Sequence, residues 1–245
     1  MAEPMTTVGT TAVALSAPAL KKAIELVVSD IYAQAKGSIA EKVKRWRNRG
    51  RIDTLYKKLK QIRYVKTIWQ LDKEIDLLRF YHPTSLVVEG SRIQINDLSK
   101  VPYGGNFIIE GTVGQGKSIF LRYLASCELA KGQAVPLFVE LRRVASQHSL
   151  NGLLLDELRN LGLDSDESVL EFLASTGRLI LFLDGFDEIH QDRRMEVISS
   201  LEWHRPISIA TLSGADAVEN FAGGLVVEGF TGTVVDTFYG LRQIV

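Results

Sequence analysis

The chain has 245 residues, 46% of them hydrophobic, enough to close a buried core in one large domain or two smaller ones. Its 29 Lys and Arg cancel 29 Asp and Glu, so overall charge gives no reason to expect nucleic acid or an anionic membrane as partner. No run of about 18 apolar residues reads as a spanning helix, and a single cysteine, Cys127, rules out an intramolecular disulfide.

The opening "MAEPMTTVGTTAVALSAPAL" carries Glu3 and no cation ahead of its apolar part, which argues against a signal peptide. Leu20, Ile24, Val27 and Ile31 then recur at helical spacing, with Pro18 before and Gly37 after them. A second apolar stripe, Leu55, Leu59, Ile62, Val65, Ile68 and Trp69, predicts helix interrupted near Gly50 and stopped at Pro83. Between Lys36 and Lys66 lie twelve Lys or Arg against only Glu41 and Asp53, so basic charge is concentrated here. With Trp46, Tyr56, Tyr64 and Trp69 interleaved, the block could meet nucleic acid. The favoured reading is a solvated helix face, because the stripe uses some of these aromatics.

"SLVVEGSRIQI", Ser85 to Ile95, reads as a strand pair that connects the helical region to the rest of the chain. From there strands and helices alternate: "NFIIE" strand, Lys117 to Lys131 helix, "AVPLFVELRR" strand, and helical segments near Leu150 to Leu161 and Ser168 to Ala174. "RLILFLD" is a strand, Arg193 to Trp203 a helix, "ISIAT" and "LVVEGF" strands, and the tail after Thr233 the start of a helix. Continuous apolar strands separated by helices predict an α/β fold whose parallel sheet is covered on both faces, preceded by an all-α N-terminal region. Cys127 falls among apolar residues at helical spacing and reads as a small core residue, not a nucleophile, in a reducing compartment.

Gly111, Gly116, Lys117 and Ser118 fit G-x-x-x-x-G-K-[ST] between an apolar strand and an apolar-periodic helix. Glycines let consecutive N–H groups line a concavity, and the helix start presents its positive end to the same anion. The candidate phosphate-binding segment is Gly111, Thr112, Val113, Gly114, Gln115 and Gly116, with Lys117, Ser118 and Ile119 opening the helix. Lys117 would reach the β- and γ-phosphates, and Ser118 would offer its hydroxyl oxygen to Mg²⁺. In "RLILFLDGFDEIH", Asp184 ends a buried strand where a parallel sheet places ligands, and is the second candidate Mg²⁺ residue. Asp187 and Glu188 are candidate catalytic residues, placed to orient or deprotonate a water; the alternative is an acidic first turn for the next helix.

Together "GTVGQGKS" and "LILFLDGFDE" resemble the NACHT class of STAND P-loop NTPases, whose second motif has a small residue after its first Asp and two further acids, as Gly185, Asp187 and Glu188 provide. "VPLFVELRR" is similar to the family's strand after the P-loop helix, and "FYHP" at Phe80 to Pro83 to the aromatic-proline segment ahead of the core. The resemblance spans roughly Phe80 to Gly232. It implies ATP or ADP with Mg²⁺ as ligand, a slow ATPase, nucleotide-controlled homo-oligomerisation and a cytoplasmic site of action. It also implies an effector or adaptor region over residues 1–80, a connector over 81–106 and a NACHT-like core over 107–245. Because the N-terminal region resembles no death-fold adaptor, a bacterial setting, defence against phage, is the preferred implication.

Two departures matter. Where the family's fourth core strand ends in a Thr-Ser-Arg-Pro-like stretch, this chain reads "ISIATLSGAD": Thr211 is in place and the phosphate-sensing arginine is not. The sequence also ends at Val245 without winged-helix or sensor regions, which reads as a natural short form, a truncated gene product or a piece cut from a longer protein. Asp164, Asp166 and Glu167 read as a helix-capping turn, since the spacing lacks the glycine and terminal glutamate of a calcium loop. His82, His148, His190 and His204 have no zinc-ligand spacing. The competing functions are an AAA+-like ATPase dependent on nucleic acid, using the basic block, and a non-hydrolysing interaction scaffold. Adenine over guanine rests on the resemblance alone.

Overall fold

The computed structural model describes residues 16–48, 52–67, 70–81, 85–88, 91–100, 107–111, 114–145, 149–204, 207–212, 225–228 and 234–235. Readings that fall on residues 1–15, Gly50, Ile68, Trp69, His82, Pro83, Thr112, Val113, His148 and 236–245 therefore lie outside the described residues.

Helix α1 (Ala17–Gln34) has Pro18 in its first turn, where a missing N–H costs nothing, and buries Leu20, Ala23, Ile24, Val27, Val28 and Ile31. The chain turns through Gly37, at φ 56°, into α2 (Gly37–Asn48), and α3 (Ile52–Arg63) follows with Leu55, Tyr56, Leu59 and Ile62 buried. These three helices form the N-terminal helical region.

The expected helix does not continue to Pro83. Tyr64–Thr67 (β1) and Gln70–Asp76 (β2) pair antiparallel instead, with Tyr64 opposite Asp76 and Val65 opposite Ile75. The spacing of Val65 from Ile62 satisfied a helical stripe, but an aromatic and two β-branched residues, Tyr64, Val65 and Thr67, favour the extended chain. A clamp fixes the hairpin at its mouth: Arg63 Nε and Nη2 donate to Asp76 Oδ1 and Oδ2 at 2.6 and 2.5 Å. Burial of Asp76 works against ionisation, yet hydrogen bonds from Arg63 and the Leu78 amide outweigh it and hold the carboxyl below its ordinary pKa.

Ser85–Val88 (β3) and Ser91–Gln94 (β4) form the second hairpin, as their sequence suggests. The α/β core follows in the expected order: β5 (Phe107–Glu110), α4 (Lys117–Lys131), β6 (Val135–Glu140), α5 (Leu150–Asn160), α6 (Glu167–Ser175), β7 (Leu179–Asp184), α7 (Gln191–His204), β8 (Ile207–Leu212) and β9 (Leu225–Glu228). Val234–Val235 (β10), read from sequence as the start of a helix, pairs antiparallel with β9 instead, because two consecutive β-branched residues suit a strand edge. The sheet order is β10-β9-β5-β8-β7-β6, with β5 to β9 parallel. This is a P-loop NTPase sheet with flanking helices. The chain crosses from β5 over β8 and β7 to β6, then steps back to β7. Right-handed crossovers running in opposite directions put α4 on one face and α5 with α6 on the other.

One apolar core joins the helical region to the sheet, running from Leu20 through Leu124 and Phe182 to Val197. Gly132 caps α4 at φ 65°, and a Cβ there would lie 3.0 Å from Ala23 Cα and O, so α1 crosses the end of α4 at backbone contact. Trp46 Nε1 donates to the Leu161 carbonyl at 3.1 Å in a buried site, Arg45 pairs with Asp164 at 3.2 Å, Lys42 with Asp166 and Arg178 with Asp30. Leu129, Gly132, Ala134 and Arg178 all lie where the strands begin, so the N-terminal helices cover that end of the sheet. The 15 residues of α4 separate them from its N-terminus by ~22 Å.

The basic block is used in part within the chain. Lys42, Arg45 and Arg63 are ion-paired, Arg47 lies 4.1 Å from the Tyr32 ring centroid and Lys60 4.8 Å from that of Tyr64. Trp46 and Tyr56 are buried, which removes them as stacking platforms for bases. Asp166 caps α6, accepting from the Val169 amide at 3.2 Å, as the turn reading expects. No described helix is long and apolar enough to cross a membrane.

Candidate functional site

The loop after β5 leads into α4 through Gly114 at φ 84° and Gly116 at φ 85°. A Cβ at either would meet nothing within 4 Å, so glycine is required for the left-handed backbone and not for space. Gly116 is the N-cap of α4 and its carbonyl accepts from the Phe120 amide at 2.9 Å. Among the described residues, no side chain caps this helix. The amides of Lys117, Ser118 and Ile119 open the helix, whose positive end suits an anion. Lys117 is buried to 8% exposure and its Nζ donates to the Gly111 carbonyl at 2.8 Å. Gln115 is half-buried, while Ile119 turns its side chain onto the core.

β7 brings the second motif to the same place. Its residues Leu179 to Leu183 are buried, and Asp184 emerges half-buried at the strand end. Ser118 Oγ donates to Asp184 Oδ1 at 2.9 Å, joining residues that are 66 apart in sequence. Gly185, at φ 77°, then turns the chain into a 3₁₀ turn over Phe186–Glu188. A Cβ on Gly185 would lie 3.0 Å from Glu188 Oε1, so the Glu188 carboxylate folds back over this glycine, next to Asp184. Phe186 and Ile189 are buried and anchor the turn, leaving Asp187 half-buried and Glu188 exposed. Because α7 begins only at Gln191, neither acid belongs to its first turn.

Several residues at this mouth carried no distinctive signal in the sequence. Arg194 Nε and Nη2 donate to the carbonyls of Ile189 at 3.1 Å and Asp187 at 3.2 Å, gripping the acidic turn. Glu140, at the end of β6, is the register partner of Asp184 and is approached by Arg122 and Arg142. Only the strand-end position of Glu140 in "VPLFVELRR" could have pointed to it. The side chain of Thr211 lies outside the described residues; its backbone pairs with Ile109 of β5.

Cys127 is half-buried beside Tyr123. Burial pushes its thiol pKa up to about 11, against a smaller lowering by the Tyr123 hydrogen bond, so it is protonated at neutral pH. Tyr123 in turn stacks on Tyr81 at 4.6 Å, tying the aromatic segment ahead of the core to α4.

A glycine loop, an uncapped helix start, a buried lysine and a strand-end carboxylate bound to a helix hydroxyl are thus gathered at the C-terminal end of a parallel sheet. Residues 106–213 match the family model of the NACHT domain. The match runs from just before β5 to just past β8 and takes in both motifs. The match supports a P-loop NTPase of NACHT type over that stretch, and with it a nucleotide as the site's ligand. No curated protein matches the chain. The matched stretch excludes α1 to α3, although these helices share its apolar core.

Proposed function

We propose that the chain is an ATP- and Mg²⁺-binding signalling NTPase that hydrolyses slowly and uses the bound nucleotide to set its state of assembly. The Ser118 Oγ to Asp184 Oδ1 contact of 2.9 Å carries this reading, because it brings the hydroxyl of the first motif and the carboxylate of the second to one point. Ser118 and Asp184 are the residues that would hold Mg²⁺, which supplies charge neutralisation at the β- and γ-phosphates. Two hard oxygens suit an ion that takes its remaining ligands from phosphate and water. The amides of Gly111 to Ile119 would cradle the phosphates, and Lys117 would leave the Gly111 carbonyl for a phosphate oxygen. Glu188, folded over Gly185, and Asp187 beside it would orient the attacking water and take its proton.

In the same reading residues 1–80 are the effector or adaptor region, 81–106 the connector and 107–245 the nucleotide core. Homo-oligomerisation, cytoplasmic action and a role in phage defence come from the family resemblance. A nucleotide sets an assembly state only through different affinities for two conformations. Calorimetry with Mg·ADP and Mg·ATP tests the site: both should bind the unaltered chain, and Lys117→Ala should abolish measurable binding. Glu188→Gln should retain binding and lose turnover by ~100-fold or more. Light scattering should show a larger particle with ATP or a non-hydrolysable analogue than with ADP; one size in all three states would refute the switch.

A further inference from the structure

Glu140 and Asp184 end neighbouring parallel strands as register partners, so two carboxylates stand side by side at the mouth of the site. Glu140 is held by two cations. Arg142 Nη2 donates to Glu140 Oε2 at 2.6 Å, and Arg122 Nη2, reaching from α4, lies 3.5 Å from Glu140 Oε1. The two arginines are not equivalent. Arg122 is 23% exposed and packs its guanidinium 4.3 Å from the Phe138 ring centroid, whereas the Arg142 side chain is 64% exposed. Arg142 can therefore leave Glu140 without stranding a partly buried carboxylate, because Arg122 remains.

The field at Arg142 comes first from Glu140, and the site acids Glu188 and Asp184 add to it. Its pKa is raised above the ordinary arginine value, first by the Glu140 hydrogen bond and charge, then by the charges of Glu188 and Asp184. A terminal phosphate entering beside Asp184, Asp187 and Glu188 adds negative charge to an acidic mouth, and a side-chain cation besides Lys117 would complement Mg²⁺ in answering it. β8 provides none: Ile207–Leu212 reads "ISIATL". A guanidinium two residues beyond the strand end, with a planar fork suited to phosphate oxygens, meets the requirement.

We propose that Arg142 is the residue by which this site distinguishes a nucleoside triphosphate from a diphosphate, exchanging Glu140 for the terminal phosphate. The assignment rests on the proposed nucleotide site. Calorimetry on the full chain with Mg²⁺, comparing ADP with a non-hydrolysable ATP analogue, tests it. Arg142→Ala should bind ADP within about twofold of the unaltered chain and lose about tenfold to a hundredfold in affinity for the triphosphate analogue. Arg142→Lys, which keeps the charge and loses the fork, should fall between them and serves if the alanine variant does not fold. A loss shared equally by both nucleotides, or a triphosphate preference left intact, would overturn the assignment. If the unaltered chain binds neither nucleotide, the site reading itself fails and takes this assignment with it.

Discussion

Gly185 shows how tightly single residues constrain this site. Its φ of 77° favours glycine, and a Cβ there would lie 3.0 Å from Glu188 Oε1, so any larger residue must push that carboxylate aside. Gly185→Ala should therefore displace Glu188 and lower kcat by ~10-fold or more while leaving ADP affinity nearly unchanged, as steady-state hydrolysis and ADP titration would report. Asp166 gives a second residue-level expectation. The hydrogen bond from Lys42 comes first among the causes that hold its pKa to about 2, followed by that from Ser168. A depressed folded-state pKa means stability that is complete above the ordinary value of 3.8 and drains as pH falls through about 2. Carbon-detected NMR of the Asp166 carboxyl should show that midpoint, and Lys42→Ala should move it part of the way back. Cys127, with its thiol at about 11, should alkylate far more slowly at pH 8 than a free cysteine.

At the scale of elements, the junction of α1 with α4 depends on Gly132. Alanine there would take a left-handed backbone and press on Ala23, costing about 1–2 kcal/mol in urea unfolding with the slope unchanged. Trp46→Phe should cost ~1–3 kcal/mol, because it keeps most of the apolar burial but strands the Leu161 carbonyl. The β1–β2 hairpin illustrates the limit of periodic patterns. Ile62 and Val65 satisfy a helical spacing, but the Arg63–Asp76 clamp that closes the hairpin joins residues 13 apart, and no local pattern announces it.

Across the whole molecule, one apolar core runs from Leu20 to Val197 and joins the N-terminal helices to the sheet, so the two are expected to unfold together. Thermal unfolding should give a single transition by circular dichroism and by Trp fluorescence alike. Mg·ADP at a hundred times its Kd should stabilise that entire transition by ~2.7 kcal/mol. Two separated transitions, with nucleotide shifting only one, would contradict a shared core. One helix spans the distance between the two regions: α4 begins at the glycine loop after β5 and ends at Gly132 against α1.

What the sequence determined by itself is the strand-and-helix order of the core and the identity of the motif residues. Strands buried on both faces must be continuously apolar, and a phosphate loop must place glycine, lysine and serine at fixed local intervals, so both leave marks within a dozen residues. The N-cap role of Asp166 was legible for the same reason, since a cap acts on amides two or three residues away. The tertiary structure alone decided the partners. That Ser118 meets Asp184, that Glu140 stands beside Asp184 between two arginines, and that Trp46 is spent on the Leu161 carbonyl instead of on a base are consequences of strand order and helix docking. Contacts between residues 44 to 115 positions apart depend on how the whole chain closes, and free energy of that kind is written in no single stretch of it.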